Sequence, residues 1–206
     1  MNYNERDIEH PALINFVKEH ADIKSVLDVG AHYSYNTYAP ELRKLVKQYD
    51  GVDILPDPIT AKIVDNYFVK NVKKLKGEYD LVSCVSTIEH SGISTYTNAN
   101  YKDEQKYVFL KLLNLSKKYV FLTFPYGLES FHEGEFANLT ESQLDRFCEY
   151  TEGMEVKTTF YYSPAPQQKE PFFEIDQELA ATIPYVKELG TRCICVMEIT
   201  KAGGVL

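Results

Sequence analysis

Apolar positions in this chain follow two patterns. The first is a short, nearly unbroken apolar run, at 25–29, 79–85, 119–124 and 193–199. Runs of that length suit strands covered on both faces of a sheet. The second is a spacing of three and four residues. Leu13, Ile14 and Val17 follow Pro11, and Leu42, Leu45, Val46 and Tyr49 follow Pro40. Both sets predict helices opened by a proline, over 11–20 and from Pro40 onward. A further helix is expected over about 104–115. Thr140 and Gln143 form a capping box for a helix that ends near Gly153. Between these lie a short strand at 51–54, a brief helix at 59–64 and a strand at 67–69 with an extension toward Val72. Val156, Thr158, Phe160 and Tyr162 alternate with other residues as in a strand. Strands that alternate with helices predict an α/β fold with a doubly wound, mainly parallel sheet. No linker or repeat divides the chain. The expectation is one domain over 1–206, with a helical segment in 1–20 and a frayed tail at 202–206.

Composition narrows the classes. The 206 residues are 44% hydrophobic and 25% charged, as in an ordinary globular protein. The net charge of −8 argues against a nucleic-acid partner or an anionic membrane. No apolar run reaches the roughly 18–20 residues of a membrane span, and the first residues lack a signal-peptide core. A cytosolic (cytoplasmic) location is expected. Cys84, Cys148, Cys193 and Cys195 read as buried, reduced thiols, since Cys193 and Cys195 have no second pair to complete a zinc site.

The most specific local signal is Val26-Leu27-Asp28-Val29-Gly30, followed by Ala31-His32-Tyr33-Ser34. About two dozen residues later comes Gly51-Val52-Asp53-Ile54. A strand, a glycine that lets a ligand approach the backbone, and an acid at the tip of the next strand form the pattern by which α/β sheets hold a ribose. Asp53 can accept from both ribose hydroxyls at once; its structural alternative is a turn aspartate before Pro56. Asp28 can meet a ligand ammonium or cap the turn after its strand. In such sheets ligands lie beyond the carboxyl ends of the strands. Asp28–Ser34, Asp53, Asn71, 86–90 and 125–126 all fall there.

These residues, in this order, resemble the class I S-adenosylmethionine-dependent methyltransferases, with a Rossmann-like fold, over about residues 20–200. Val26 to Gly30 is similar to the first motif of that family, and Gly51-Val52-Asp53 to its acidic strand tip. Tyr79-Asp80-Leu81-Val82 with Ile88-Glu89-His90 resembles its fourth strand and the Glu-His that often follows. Leu139-Thr140-Glu141 resembles its late helix start. The resemblance implies a seven-stranded sheet with an antiparallel last strand, and S-adenosylmethionine (SAM) as cofactor. It implies that Ile54 covers one adenine face, that Asn71 lies near the adenine amino group, and that Ser86 and Thr87 line the pocket. Ser86 to Gly92 with Tyr96 is also similar to methyltransferase-like proteins found with sugar or surface-polysaccharide pathways, which hints at the acceptor.

The family usually has two more glycines where this chain has His32 and Ser34. Those side chains either contact the carboxylate of the cofactor or narrow the pocket. Methyl transfer asks mainly for alignment. An oxygen or nitrogen acceptor can also need a proton removed, and His90 suits that, with Glu89 to orient it. Tyr126 and His132 fall where an acceptor would bind, and Tyr33, Tyr35, Tyr38 and Tyr101 can wall the same region or simply form half-buried rims. His32, His90 and His132 follow three different strands, with Glu133 and Glu135 nearby, but they lack the short spacings of metal ligands, so no metal is expected. The leading expectation is an enzyme that methylates a small molecule. The alternative is a methyltransferase fold that binds the nucleoside or a partner without transfer. A nicotinamide oxidoreductase is disfavoured, because Gly30 stands alone and no helix starts close behind it.

Overall fold

A computed structural model describes residues 4–93, 101–132, 136–166 and 169–201. Tyr96, Glu133, Glu135 and the tail at 202–206 lie outside them.

Among the described residues, ten strands and five α-helices follow in chain order. Helix α1 (Arg6–Glu19) is followed by β1 (Ser25–Val29), α2 (Ala39–Leu45), β2 (Gln48–Asp53), β3 (Asn66–Val69) and β4 (Tyr79–Val85). Then come α3 (Tyr101–Leu115), β5 (Ser116–Pro125), the two-residue strands β6 (Phe131–His132) and β7 (Phe136–Ala137), and α4 (Glu141–Glu149). The chain closes with β8 (Glu155–Tyr162), β9 (Phe173–Ile175), α5 (Gln177–Ala181) and β10 (Cys193–Thr200).

Eight strands form one sheet in the order β3-β2-β1-β4-β5-β10-β8-β9. Strands β3, β2, β1, β4 and β5 run parallel, and β10 lies antiparallel between β5 and β8. The antiparallel closing strand is where the sequence places it. The sheet has eight strands rather than seven, because β9 adds an antiparallel edge to β8. Three residues flanked by a polar, proline-containing segment carry too short a pattern to read as a strand.

The pleat divides the core. Val26, Leu81, Val85, Phe121 and Val196 face α1 and α2, where they meet Leu13, Phe16, Val17, Tyr38 and Leu42. Leu27, Val29, Val82, Leu122 and Met197 face the other way, toward Phe109 and Leu112 of α3 and Phe147 of α4. Phe109 and Phe147 stack with centroids 4.1 Å apart, which fixes α3 against α4. Gln143 accepts from the Thr140 amide at 3.2 Å in the expected capping box.

Three boundaries differ from the sequence reading. Pro11 lies inside α1 instead of opening it. It is exposed and the missing N–H costs one bond in the second turn, while Leu13, Ile14, Phe16 and Val17 anchor the helix. Tyr49 belongs to β2, not to the helix after Pro40. Its side chain is buried against the same face as Leu42, which mimics a helical spacing. Val72 opens a single 3₁₀ turn and does not extend β3. Cys148 is exposed, unlike the buried Cys84, Cys193 and Cys195.

Candidate functional site

The strand order reverses between β1 and β4, since β1 pairs with β2 on one side and β4 on the other. Chains leaving these neighbours turn to opposite faces and open a crevice at their carboxyl ends. Gly30 stands at that point. Its φ is +84°, a backbone region that side chains strongly disfavour. The amides of Gly30 and Ala31 donate to the Val52 carbonyl at 2.9 and 3.3 Å, so the loop after β1 is tied to the end of β2.

Asp53 continues that tie. Its carboxylate accepts the His32 amide at 3.2 Å and the Leu55 amide at 2.9 Å. Each oxygen keeps a lone pair for a further donor. Asp57 accepts the Tyr33 amide at 2.9 Å, and this supports Tyr33 in its left-handed conformation, φ +66°. Backbone amides and acids thus hold the loop where the expected glycines are missing.

Two cavities open beside Gly30. The first, of about 260 Å³, is lined by Asp53, Ile54, Asn71, His90 and Val108 among others. The second, of about 350 Å³, is lined by Arg6, His10, His32, Ser34, Asn36 and Ser86 among others. Gly30 and Thr87 border both. Asp53, Ile54, Asn71 and His90 therefore share one cavity, and His32, Ser34 and Ser86 share its neighbour.

Other sequence-designated residues fall elsewhere. Asp28 is fully buried and borders neither cavity. It sits on the α1–α2 face, where Tyr38, Tyr49 and Ser83 donate hydroxyls to it at 2.9–3.1 Å. That set of donors gives Asp28 a role in the core instead of at a ligand ammonium. Burial pushes its carboxyl up to about 6, against the pull of the three hydroxyls. The folded protein therefore keeps this proton to a higher pH than the unfolded chain does. Stability from this group is full below about pH 4 and is lost as pH rises through about 6, by roughly 3 kcal/mol. Asp28→Asn cannot titrate, so the wild-type-minus-variant difference in urea unfolding should fall between pH 4 and pH 7. A difference that is flat over that range refutes the assignment.

Tyr126 is 1% exposed and packs against Phe160 with the rings tilted at 50°, so it is part of the core and not of an acceptor wall. Its backbone N–H donates to the Cys193 carbonyl, which draws the residue inward. His132 lies in β6, paired with Phe136. Glu89 is 2% exposed and faces the interior, its carboxylate 3.8 Å from His90 Nε2. Burial raises the Glu89 carboxyl well above the usual range. Of the neighbouring pair, only His90 reaches the cavity.

The sequence reading missed Glu9. This acid of α1 is fully buried and accepts Ser86 Oγ at 2.5 Å, Thr123 Oγ1 at 2.7 Å and Arg6 Nη1 at 3.1 Å. Burial raises its carboxyl. The signal was present, because Glu9 precedes Leu13 by one helical turn on the apolar stripe. Starting the helix at Pro11 hid it.

No protein-family model matches the sequence, and no curated protein matches it. Solved structures do. The 1,6-didemethyltoxoflavin-N1-methyltransferase of Burkholderia thailandensis, with its substrate and S-adenosylhomocysteine bound, superposes with a TM-score of 0.59 at 13% identity. The match covers 94% of this chain and 78% of that one. The magnesium protoporphyrin IX methyltransferase of Synechocystis PCC 6803, with SAM bound, gives 0.58 at 12% identity over 93% of this chain and 77% of that one. This chain has the class I methyltransferase fold. The N-methyltransferase NodS of Bradyrhizobium japonicum WM9 agrees, with a TM-score of 0.57 at 8% identity over 96% and 88% of the two chains. At these identities the likeness is one of fold, and the methyltransferase architecture is carried here by a different set of side chains. Among the described residues, no helix is long and apolar enough to cross a membrane.

Proposed function

We propose that the protein transfers a methyl group from SAM to a small-molecule acceptor. The observation that carries this reading is the junction of Gly30 and Asp53 at the switch point, tied by the His32 amide and open to a cavity. The three neighbours named above are methyltransferases whose structures contain SAM or S-adenosylhomocysteine. The residues present fit such a cofactor. Gly30 carries no side chain where the two cavities meet, and Asp53 offers two carboxylate lone pairs for a ribose diol. Ile54, 67% exposed beside Asp53, offers an apolar face for adenine, with Asn71 as an amide partner. Ser86, His32 and Ser34 would meet the amino-acid end, with Thr87 on the border between that cavity and the nucleoside one. When bound, the cofactor supplies a methyl group already activated on a sulfonium, so the protein's task is alignment and exclusion of water.

The cavity beside α1 is lined by hydroxyl, amide and imidazole groups and by the Arg6 guanidinium, with no carboxylate among the described lining residues. That lining favours a small polar acceptor, such as a sugar derivative. The acidic chain as a whole disfavours a nucleic-acid acceptor. We assign His90, which lines the nucleoside cavity, as the group that takes up the acceptor's proton, on an acceptor that reaches the border of the two cavities at Thr87. His90→Ala should lower kcat by about 10²-fold or more and leave cofactor affinity within about threefold. If the loss falls on affinity and kcat is kept, His90 is a wall of the nucleoside cavity and not a base.

The test of the function is calorimetric titration with S-adenosylhomocysteine, followed by a panel of hydroxylated and amine acceptors with SAM. Micromolar binding and transfer to a member of the panel support the reading. Binding without transfer favours a nucleoside-binding module, and no binding by folded protein refutes the cofactor.

A further inference from the structure

We propose that Thr87 is a gate between the two cavities, and that it decides whether this site accepts a whole SAM-sized ligand or only a nucleoside. The inference rests on the nucleoside reading of the Asp53 cavity and deepens it.

Three observations lead to Thr87. It borders both cavities, and among the described residues it shares that position with Gly30 alone. It lies directly on Gly30. A Cβ placed on Gly30 would meet Thr87 Oγ1 at 2.0 Å, Cγ2 at 2.4 Å and Cβ at 2.7 Å. The space that the glycine leaves bare is therefore filled by threonine. Finally, the side chain is latched, since Oγ1 donates to the Val85 carbonyl at 2.9 Å.

The backbone that delivers Thr87 is itself braced. Strand β4 ends at Val85, and Ser86 follows it with a φ of +40°. The Ser86 amide donates to both the carbonyl and the hydroxyl of Thr123, each at 3.1 Å, and its own hydroxyl donates to the buried Glu9. With residue 86 held on three sides, residue 87 has little backbone freedom. Opening must come from rotation about its χ1, which breaks the bond to Val85. Oγ1 and Cγ2 fill two of the three staggered positions, so this rotation takes one of them off Gly30 and leaves the other, and it needs no backbone change.

A ligand confined to the Asp53 cavity, such as adenosine, does not need that rotation. A ligand whose tail passes over Gly30 into the cavity of His32 and Ser34 does. Its apparent affinity is reduced by the fraction of molecules in the open rotamer. If that fraction is about a tenth, removal of the side chain gains about tenfold for the long ligand and nothing for the short one.

Calorimetry with adenosine and with S-adenosylhomocysteine, on wild type, Thr87→Ala and Thr87→Val, tests this. Thr87→Ala should raise the affinity for S-adenosylhomocysteine relative to adenosine by about tenfold. Thr87→Val keeps the bulk over Gly30 and should leave the ratio at or below the wild-type value. A ratio unchanged within twofold in Thr87→Ala overturns the gate while the nucleoside reading stands. Failure of both ligands to bind any of the three folded proteins overturns the nucleoside reading, and the gate with it. Thr87 is partly exposed, so both variants should fold, and circular dichroism confirms it before titration.

Discussion

Gly30→Ala should unfold at a temperature roughly 5–15 °C below wild type and should not bind S-adenosylhomocysteine measurably. Two separate costs add at this position. A φ of +84° is unfavourable for any residue with a Cβ, by about 1–2 kcal/mol. The new methyl also falls within 2.0–2.7 Å of three Thr87 atoms, and forced overpacking costs about 1–3 kcal/mol. Thr87 can relieve part of the clash by turning away from Val85, but no neighbour can relieve the backbone. The double variant Gly30→Ala/Thr87→Ala should therefore recover part of the melting temperature and none of the binding, because the new methyl still occupies the surface that a ligand must approach. Differential scanning calorimetry of the two variants separates these costs. A single variant as stable as wild type would show that the turn adopts a different backbone in solution.

Asp53→Ala should weaken S-adenosylhomocysteine by at least about 100-fold. A ribose diol bound to a carboxylate makes two charge-assisted hydrogen bonds, and their loss alone accounts for a change of that order. The substitution also frees the His32 and Leu55 amides, which now hold the loop after β1 against the end of β2. Asp53→Asn separates the two roles. Its amide oxygen can still accept from one backbone amide, so the loop should stay near its place while the ribose loses one of two acceptors. The expected order of affinity is wild type, then Asn, then Ala. Wild-type affinity in Asp53→Ala would remove Asp53 from the ribose and leave it as a turn residue.

The positions of Gly30 and Asp53 at the ends of β1 and β2 are legible in the sequence because they are local. A glycine after an apolar strand and an acid at the next strand's tip place themselves through turn chemistry and strand ends, which short windows encode. The fully buried strand β4 and the buried half of β5, from Val120 onward, were legible for the same reason. Asp28 was misread for an equally physical reason. Its neighbours in sequence belong to the site motif, but its position in the pleat turns it toward α2, away from the crevice, where Tyr38 and Tyr49 hold it. Tyr126 was misread similarly, because the end of β5 turns under Phe160 instead of into the opening.

By itself, then, the sequence determined the order of the longer strands and helices, without β6, β7, β9 and α5, and it placed a glycine and an acid at the ends of β1 and β2. Each of these follows from apolar period and turn residues within a few positions. Only the tertiary structure decided where the buried acids go and how the crevice is divided. Glu9 reaches Ser86 and Thr123 across separations of 77 and 114 residues, and Thr87 meets Gly30 across two different strands. No local pattern encodes such contacts. They arise when α1 closes over the ends of β4 and β5, and a carboxylate buried there must take whatever hydroxyls the fold brings to it.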